Sequence, residues 1–214
     1  MLLLCAVAAA HEPITTKLTW TKEISRIVYK RCASCHREGG ASPMSLLHYD
    51  DARPWAKAIR DEVLERRMPP WGAVRGFGEF RGDKSLLQPE IDMLVNWVEG
   101  GAPKGDDVFL PSLPSPGPPP SEPNAKRAGL RMSASMALQR EIAATGIEPF
   151  GPMQVSAILP DGAVRNLIWL REYKVKRRRP YYFRKPVRLP KGTRIQMHGA
   201  KGAAVLILTG KPGL

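Results

Sequence analysis

Residues 32–36 read Cys32-Ala33-Ser34-Cys35-His36, and they close the run TWTKEISRIVYKRCASCH at 19–36. Ile24, Ile27, Val28 and Arg31 recur at helical spacing, so a helix is expected to end where the cysteines begin. C-x-x-C-H is the attachment motif for c-type haem. Two thiols at this spacing add to the two vinyl groups on one porphyrin edge, and the next residue, His36, is then placed as proximal ligand to the iron. Rival chemistries fit less well. Zinc needs four ligands, and no second cysteine pair completes such a site. A thioredoxin-type pair would follow a strand rather than a helix. A plain Cys32–Cys35 disulfide is the bland alternative, and it leaves His36 and the apolar leader as coincidences.

Working outward, residues 88–99 read as a second helix. Pro89 suits its first turn, Glu90 its positive end, and Ile91, Leu94, Val95 and Val98 its apolar stripe. Gly100-Gly101 and Pro103 stop it. Between the two, Asp50 or Asp51 is expected to cap a helix carrying Ala52, Trp55, Ala56, Ile59 and Val63. A sixth iron ligand is sought downstream of the motif. Met68, in Arg67-Met68-Pro69-Pro70-Trp71, is the first candidate, because the prolines stiffen its loop. Trp71 is expected to pack on the porphyrin. Met44, Met93, His48 and an open position are the alternatives. A thioether opposite histidine raises the reduction potential and closes the iron to small molecules, which suits electron transfer.

Three segments in order, CASCHREGGASPM, DARPWAKAIRDEVLERRMPPWGA and QPEIDMLVNWVEGGAPKGD, make residues 20–107 similar to a class of monohaem cytochrome c domains in exported bacterial proteins. The resemblance implies an all-α domain in which the helix before the motif crosses the last one. It also implies one haem c on Cys32 and Cys35, with His36 and Met68 as axial ligands.

The whole chain has 214 residues, 43% hydrophobic and 25% charged, an ordinary globular balance. No apolar run reaches the ~20 residues that cross a bilayer. Met1–Ala10 (MLLLCAVAAA) reads as an export signal, with Ala8 and Ala10 forming an A-x-A cleavage site, so a periplasmic or otherwise exported protein is expected. Cleavage there would leave His11 at the new terminus, where an amino-terminal histidine can chelate copper, but a second histidine would have to converge on it. Three cysteines are too few for a disulfide scaffold.

Charge divides the chain. Residues 1–110 hold 15 Lys/Arg and 15 Asp/Glu, whereas residues 111–214 hold 18 and 5. The Pro-rich stretch PSLPSPGPPPSEP at 111–123 reads as a semi-rigid linker. Beyond it the period changes. MQVSAIL and AVRNLIWL flank Pro160-Asp161-Gly162, YYFRKPVRL and TRIQMHG flank Pro190-Lys191-Gly192, and AAVLILT follows. Five or more short strands predict a small β-sandwich. The expected organisation is therefore multidomain: signal 1–10, all-α cytochrome c domain 15–107, linker 108–126, and a basic all-β sandwich-like domain 127–214.

SAILPDGAVRNLIWLREYKVKRRRPYYFRKPVRLPKGTRI resembles part of the C-terminal β-domain of copper type II ascorbate-dependent monooxygenases. That family holds copper with a His-x-His pair and a distant Met. The corresponding stretch here, IEPFGPMQV, has no histidine, and His198 is the one histidine of the module. The resemblance therefore implies the scaffold without the metal. The run Lys174-Val175-Lys176-Arg177-Arg178-Arg179 beside Tyr173, Tyr181 and Tyr182 reads first as a solvated hairpin loop. Its next reading is a patch for an acidic redox partner or an anionic membrane or envelope surface. Nucleic acid is not expected of an exported haem protein.

The function expected from the sequence is one-electron transfer through a single covalent haem in the cell envelope, by a carrier rather than an enzyme. Two alternatives stand beside it: an electron-donating part of a copper or haem oxidoreductase, and an envelope-binding module that carries a haem.

Overall fold

The computed structural model describes residues 16–115, 129–175, 179–199 and 203–208. The leader with Ala10 and His11, most of the Pro-rich linker, and Lys176-Arg177-Arg178 lie outside the described residues. The chain forms two compact units that divide within the Pro-rich linker, but residues 71–83 belong with the chain beyond it. One unit holds residues 16–70 and 84–115; the other holds residues 71–83 together with the chain beyond the linker.

The expected all-α cytochrome c domain is not what the chain builds. The architecture is mostly β: two antiparallel four-stranded sheets and a few short helices. In the first unit a π-helical turn, Trp20–Ile24, leads into α1 (Ser25–Arg31). Then come α2 (Tyr49–Ala52), a 3-10 turn at Arg53–Trp55, α3 (Ala56–Leu64) and α4 (Gln88–Glu99). The physical reason lies in the connections. Gly39, Gly40 and Pro43 break the chain after the cysteines, and Pro69, Pro70, Gly72, Gly76, Gly78 and Gly82 rule out a helix between α3 and α4. Asp50 and Asp51 lie within the first turn of α2 rather than capping it; His48 holds the cap position. Trp20, Ile24, Val28, Leu94 and Trp97 form the core of this unit, with Trp20 and Trp97 centroids 6.0 Å apart. The Trp97 Nε1–H donates to the Pro103 carbonyl at 3.0 Å.

In the second unit the strands are β1 (Gly129–Met132), β2 (Met136–Ala137), β3 (Ile142–Pro149), β4 (Met153–Ile158), β5 (Val164–Leu170), β6 (Tyr181–Leu189), β7 (Arg194–His198) and β8 (Ala204–Leu208). One sheet has the order β1-β8-β3-β6 and the other β2-β7-β4-β5. Inward residues of both, among them Ile147, Leu206, Phe183, Val155, Ile168 and Ile195, share one core. The β4–β5 hairpin is as expected, with Gly162 at φ +86° in its turn. β6 and β7 flank a turn but do not pair: β6 joins β3, and β7 joins β4. The small residues of β3, Ala143-Ala144-Thr145-Gly146, give it no apolar alternation, so the sequence pattern shows strands only from Met153 on.

Residues 71–83 form a strap, not part of a helical domain. The Val74 N–H donates to the Trp169 carbonyl of β5 at 2.7 Å. The Arg81 N–H donates to the Tyr182 carbonyl of β6, and the Arg184 N–H to the Glu79 carbonyl, both at 2.8 Å. β5 and β6 are edge strands of different sheets, so the strap covers one edge of each. Phe80 is its anchor, stacked on Phe183 at 5.5 Å and edge-on to Tyr181 at 5.4 Å. Truncating such a buried ring costs about 3–5 kcal/mol. Phe80→Ala should therefore lower hydrogen-exchange protection in β5 and β6 and leave that of α1 and α4 unchanged; loss confined to the helices would contradict this placement.

Candidate functional site

The motif follows α1 without a break. The Cys32 N–H donates to the Val28 carbonyl at 2.8 Å, and the N–H groups of Cys35 and His36 both donate to the Cys32 carbonyl at 3.0 Å. The backbone after α1 thus winds one more turn, which turns the chain at His36 back toward Cys32. The loop then closes over it: the Ser42 N–H donates to the Cys35 carbonyl at 3.2 Å and the Leu46 N–H to the His36 carbonyl at 3.0 Å. Gly40 permits this, because a Cβ there would strike the Cys35 carbonyl.

Cys32 and Cys35 are both free thiols, half-buried. Burial, with Cys35 and Glu90 adding to it and Arg31 opposing, pushes the Cys32 thiol up to about 12, so it stays protonated at neutral pH. His36 is buried. Its Nε2 lies 3.4 Å from the Ser42 hydroxyl, while its Nδ1 is buried with no side-chain hydrogen-bond partner among the described residues. Burial holds its pKa below the ordinary histidine value, with a Met44 backbone contact working the other way, and so favours the neutral imidazole that can donate a lone pair to a metal. Two free thiols at the attachment spacing, next to a neutral imidazole with unspent nitrogen valence, fit covalent haem.

The remaining expected residues separate. α3 ends at Leu64, the backbone turns left-handed at Arg66 (φ 56°), and the N–H groups of Arg67 and Met68 return to the Glu62 carbonyl at 2.9 and 3.2 Å. Met68 is half-buried and belongs to neither hydrophobic core, whereas Met44 and Met93 both pack on the core of the helical unit. His48 is exposed. Trp71 belongs to the other unit: its ring is edge-on to Tyr181 at 5.1 Å, with the Arg179 guanidinium 4.6 Å above it. The ring expected to pack on a porphyrin is instead used by the β core.

The sequence reading missed the pair that holds the motif in place. Arg31, the last residue of α1, meets Glu90, in the first turn of α4. Nε donates to Oε1 and Oε2 at 3.1 and 3.0 Å, and Nη2 to Oε1 at 2.9 Å. Both side chains are about nine-tenths buried. Glu90 also accepts the Leu87 N–H at 2.7 Å, closing the start of α4. An arginine recurring on the apolar stripe of α1 was the available signal. A second link ties the motif to the segment before α4: Lys84 Nζ donates to the Ser34 hydroxyl at 2.6 Å.

Among the described residues no group of three or more His, Cys, Asp or Glu converges on a possible metal position, and no helix is long and apolar enough to cross a membrane. His198, the histidine of the β unit, is exposed at the end of β7. Comparison with protein-family models, curated proteins and solved structures finds no match for this chain.

Removing one partner of a buried ion pair strands the other, at a cost of about 3–5 kcal/mol. Arg31→Ala and Glu90→Ala should each destabilise the helical unit by this much in denaturant titration. The paired change Arg31→Met with Glu90→Leu should cost less than either. A loss in the double variant equal to the sum of the two single losses would show that the charges do not depend on one another.

Proposed function

We propose that the chain carries one haem c, bound through thioethers to Cys32 and Cys35, and works as an exported one-electron carrier of the cell envelope rather than as a catalyst. His36 and Met68 would hold its iron. The observation that carries the reading is the C-x-x-C-H turn with both thiols free and a buried His36 Nδ1 with no side-chain partner among the described residues. Bound there, haem would supply a one-electron iron couple, with a potential raised by thioether ligation.

The chain's own residues hold and shield. α1 presents Cys32 at its end, the turn sets Cys35 and His36, and the Gly40 loop covers the histidine from water. Arg31 and Glu90 fix the ends of α1 and α4 beside the motif. Met68 is supported as the second ligand because its thioether is not taken up by either core, while those of Met44 and Met93 are packed. The excess of cations over anions in residues 111–214 suits electrostatic steering toward an acidic redox partner or an anionic envelope surface.

Expression with haem c maturation, followed by a haem stain on a denaturing gel and spectra of both oxidation states, tests this. The expected result is covalent haem and a low-spin spectrum with the weak red sulfur-to-iron band. Cys35→Ser should greatly reduce covalent haem, and Met68→Ala should lower the reduction potential. A haem-free product, with maturation working on a control, would overturn the proposal. An unchanged potential in Met68→Ala would reassign the sixth ligand.

A further inference from the structure

β4 is flanked by β5 and β7, and the register of the three strands sets out cross-strand rows on the outward face. Gln154 stands between Trp169 and His198. One row on, Ser156 stands between Asn166 and Gln196, and beyond that Ile158 stands between Val164 and Arg194. The alternate residues Val155, Ala157 and Ile195 are buried in the core, which fixes these rows as the outer face, on which Ser156, between its longer neighbours, is itself buried.

An outward sheet face is normally polar and solvated. This one departs from its surroundings in three ways. First, it lies in the basic half of the chain, where Lys and Arg number 18 against 5 acidic residues, yet its two leading rows carry no Lys, Arg, Asp or Glu. Second, the side-chain amides of half-buried Gln154 and Gln196 and exposed Asn166 make no hydrogen bond among the described residues, so their donors and acceptors are unspent together. Third, Trp169 is 36% exposed and is held in position by the strap. Phe77 of the strap meets it edge-on at 4.9 Å, and the Val74 N–H fixes its carbonyl at 2.7 Å.

We propose that this face binds an acidic polysaccharide. Vicinal hydroxyls of a sugar need neighbouring groups that both donate and accept, which carboxamides supply. The C–H face of a pyranose needs a flat, fixed apolar surface, which the indole supplies. Arg194, one row further along, stands between Ile158 and Ala137 of β2 on that row, and none of the nine positions is acidic. A guanidinium with open surroundings at the end of a neutral hydrogen-bonding platform complements a carboxylate carried on a sugar. Three strands ~4.8 Å apart span ~10 Å, the length of about two sugar rings. A protein partner fits less well, because the centre of a protein interface is apolar and aromatic rather than lined with open amides. The inference uses no feature of the haem motif and stands or falls separately from it.

Calorimetric titration of the full-length chain with an oligogalacturonate, with a neutral cello-oligosaccharide and inorganic polyphosphate as comparisons, tests it. The oligogalacturonate should bind, and more tightly than the neutral sugar. Trp169→Ala should weaken binding by about tenfold, the loss of one good contact. Gln154→Ala and Arg194→Gln, substitutions on the surface that leave the indole in place, should each weaken it several-fold. No binding of the oligogalacturonate would overturn the proposal. So would binding matched by polyphosphate and unchanged in all three variants, because that is ion exchange by the basic chain. A dimer in sedimentation that Trp169→Ala converts to monomer would instead make the face an interface between copies.

Discussion

The strap at residues 71–83 is the constraint on which the organisation of this chain depends. It leaves the helical unit after α3, hydrogen-bonds to the edge strands β5 and β6 of two different sheets, and returns to begin α4. An uncovered edge strand is a liability, and a sandwich has four of them. Here two are closed by thirteen residues that lie before the Pro-rich linker in sequence. The helical unit is therefore not a separable N-terminal domain. Cutting at the linker would leave Phe80 and Trp71 without Phe183 and Tyr181, and would open the β5 and β6 edges together. The glycines suit the task. At Gly78 (φ +84°) a Cβ would strike the Leu167 carbonyl, and at Gly72 it would strike the Glu172 carbonyl. Only a chain without side chains at these points lies flush against the edge.

Within the helical unit Arg31–Glu90 has a comparable place. The helices are short, seven residues for α1 and twelve for α4, so neither is stable alone in water. The pair joins the end of one to the start of the other, and it puts a cation at a helix C-terminus and an anion at a helix N-terminus, as both dipoles prefer. Such a pair adds little net stability over apolar packing, but a mismatch is costly, so it selects one arrangement of the two ends. That arrangement positions the residues immediately following Arg31, which are Cys32 and the rest of the motif.

What could be read from the sequence was local. The boundaries of α4 followed from Pro89, Glu90 and the glycines after Glu99, because helix ends are set by residues in contact with them. The β4–β5 hairpin followed from alternation around an Asp-Gly turn. The motif itself is five contiguous residues. What could not be read was long-range. Trp71, Phe77 and Phe80 sit among glycines and prolines that specify only a loop, and nothing nearby in sequence says that their rings belong against Tyr181, Trp169 and Phe183, some ninety to a hundred and ten residues on. For the same reason the resemblance to an all-α domain misled: it matched the segments and could not register that the chain between two of them is taken up by a sheet. β6 and β7 were paired by proximity across a turn, whereas the core is filled by sending them to opposite sheets.

The charge asymmetry and the neutral sheet face have different ranges of action, and this separates their roles. Net charge acts over about a Debye length, ~8 Å at physiological salt, and draws partners in without choosing among them. Open amides and a fixed indole act only at contact, where geometry discriminates. On β6 the cations Arg184 and Lys185 stand exposed where the pairing with β3 shifts register at Ala144–Gly146, away from the rows that face outward on β4. Had the basic residues been placed on those rows, their hydration and mutual repulsion would compete with any close fit of a hydroxyl-rich ligand. Keeping Lys and Arg off the Gln154 and Ser156 rows, with Arg194 one row beyond, lets attraction and close fit be set independently on an eight-stranded scaffold.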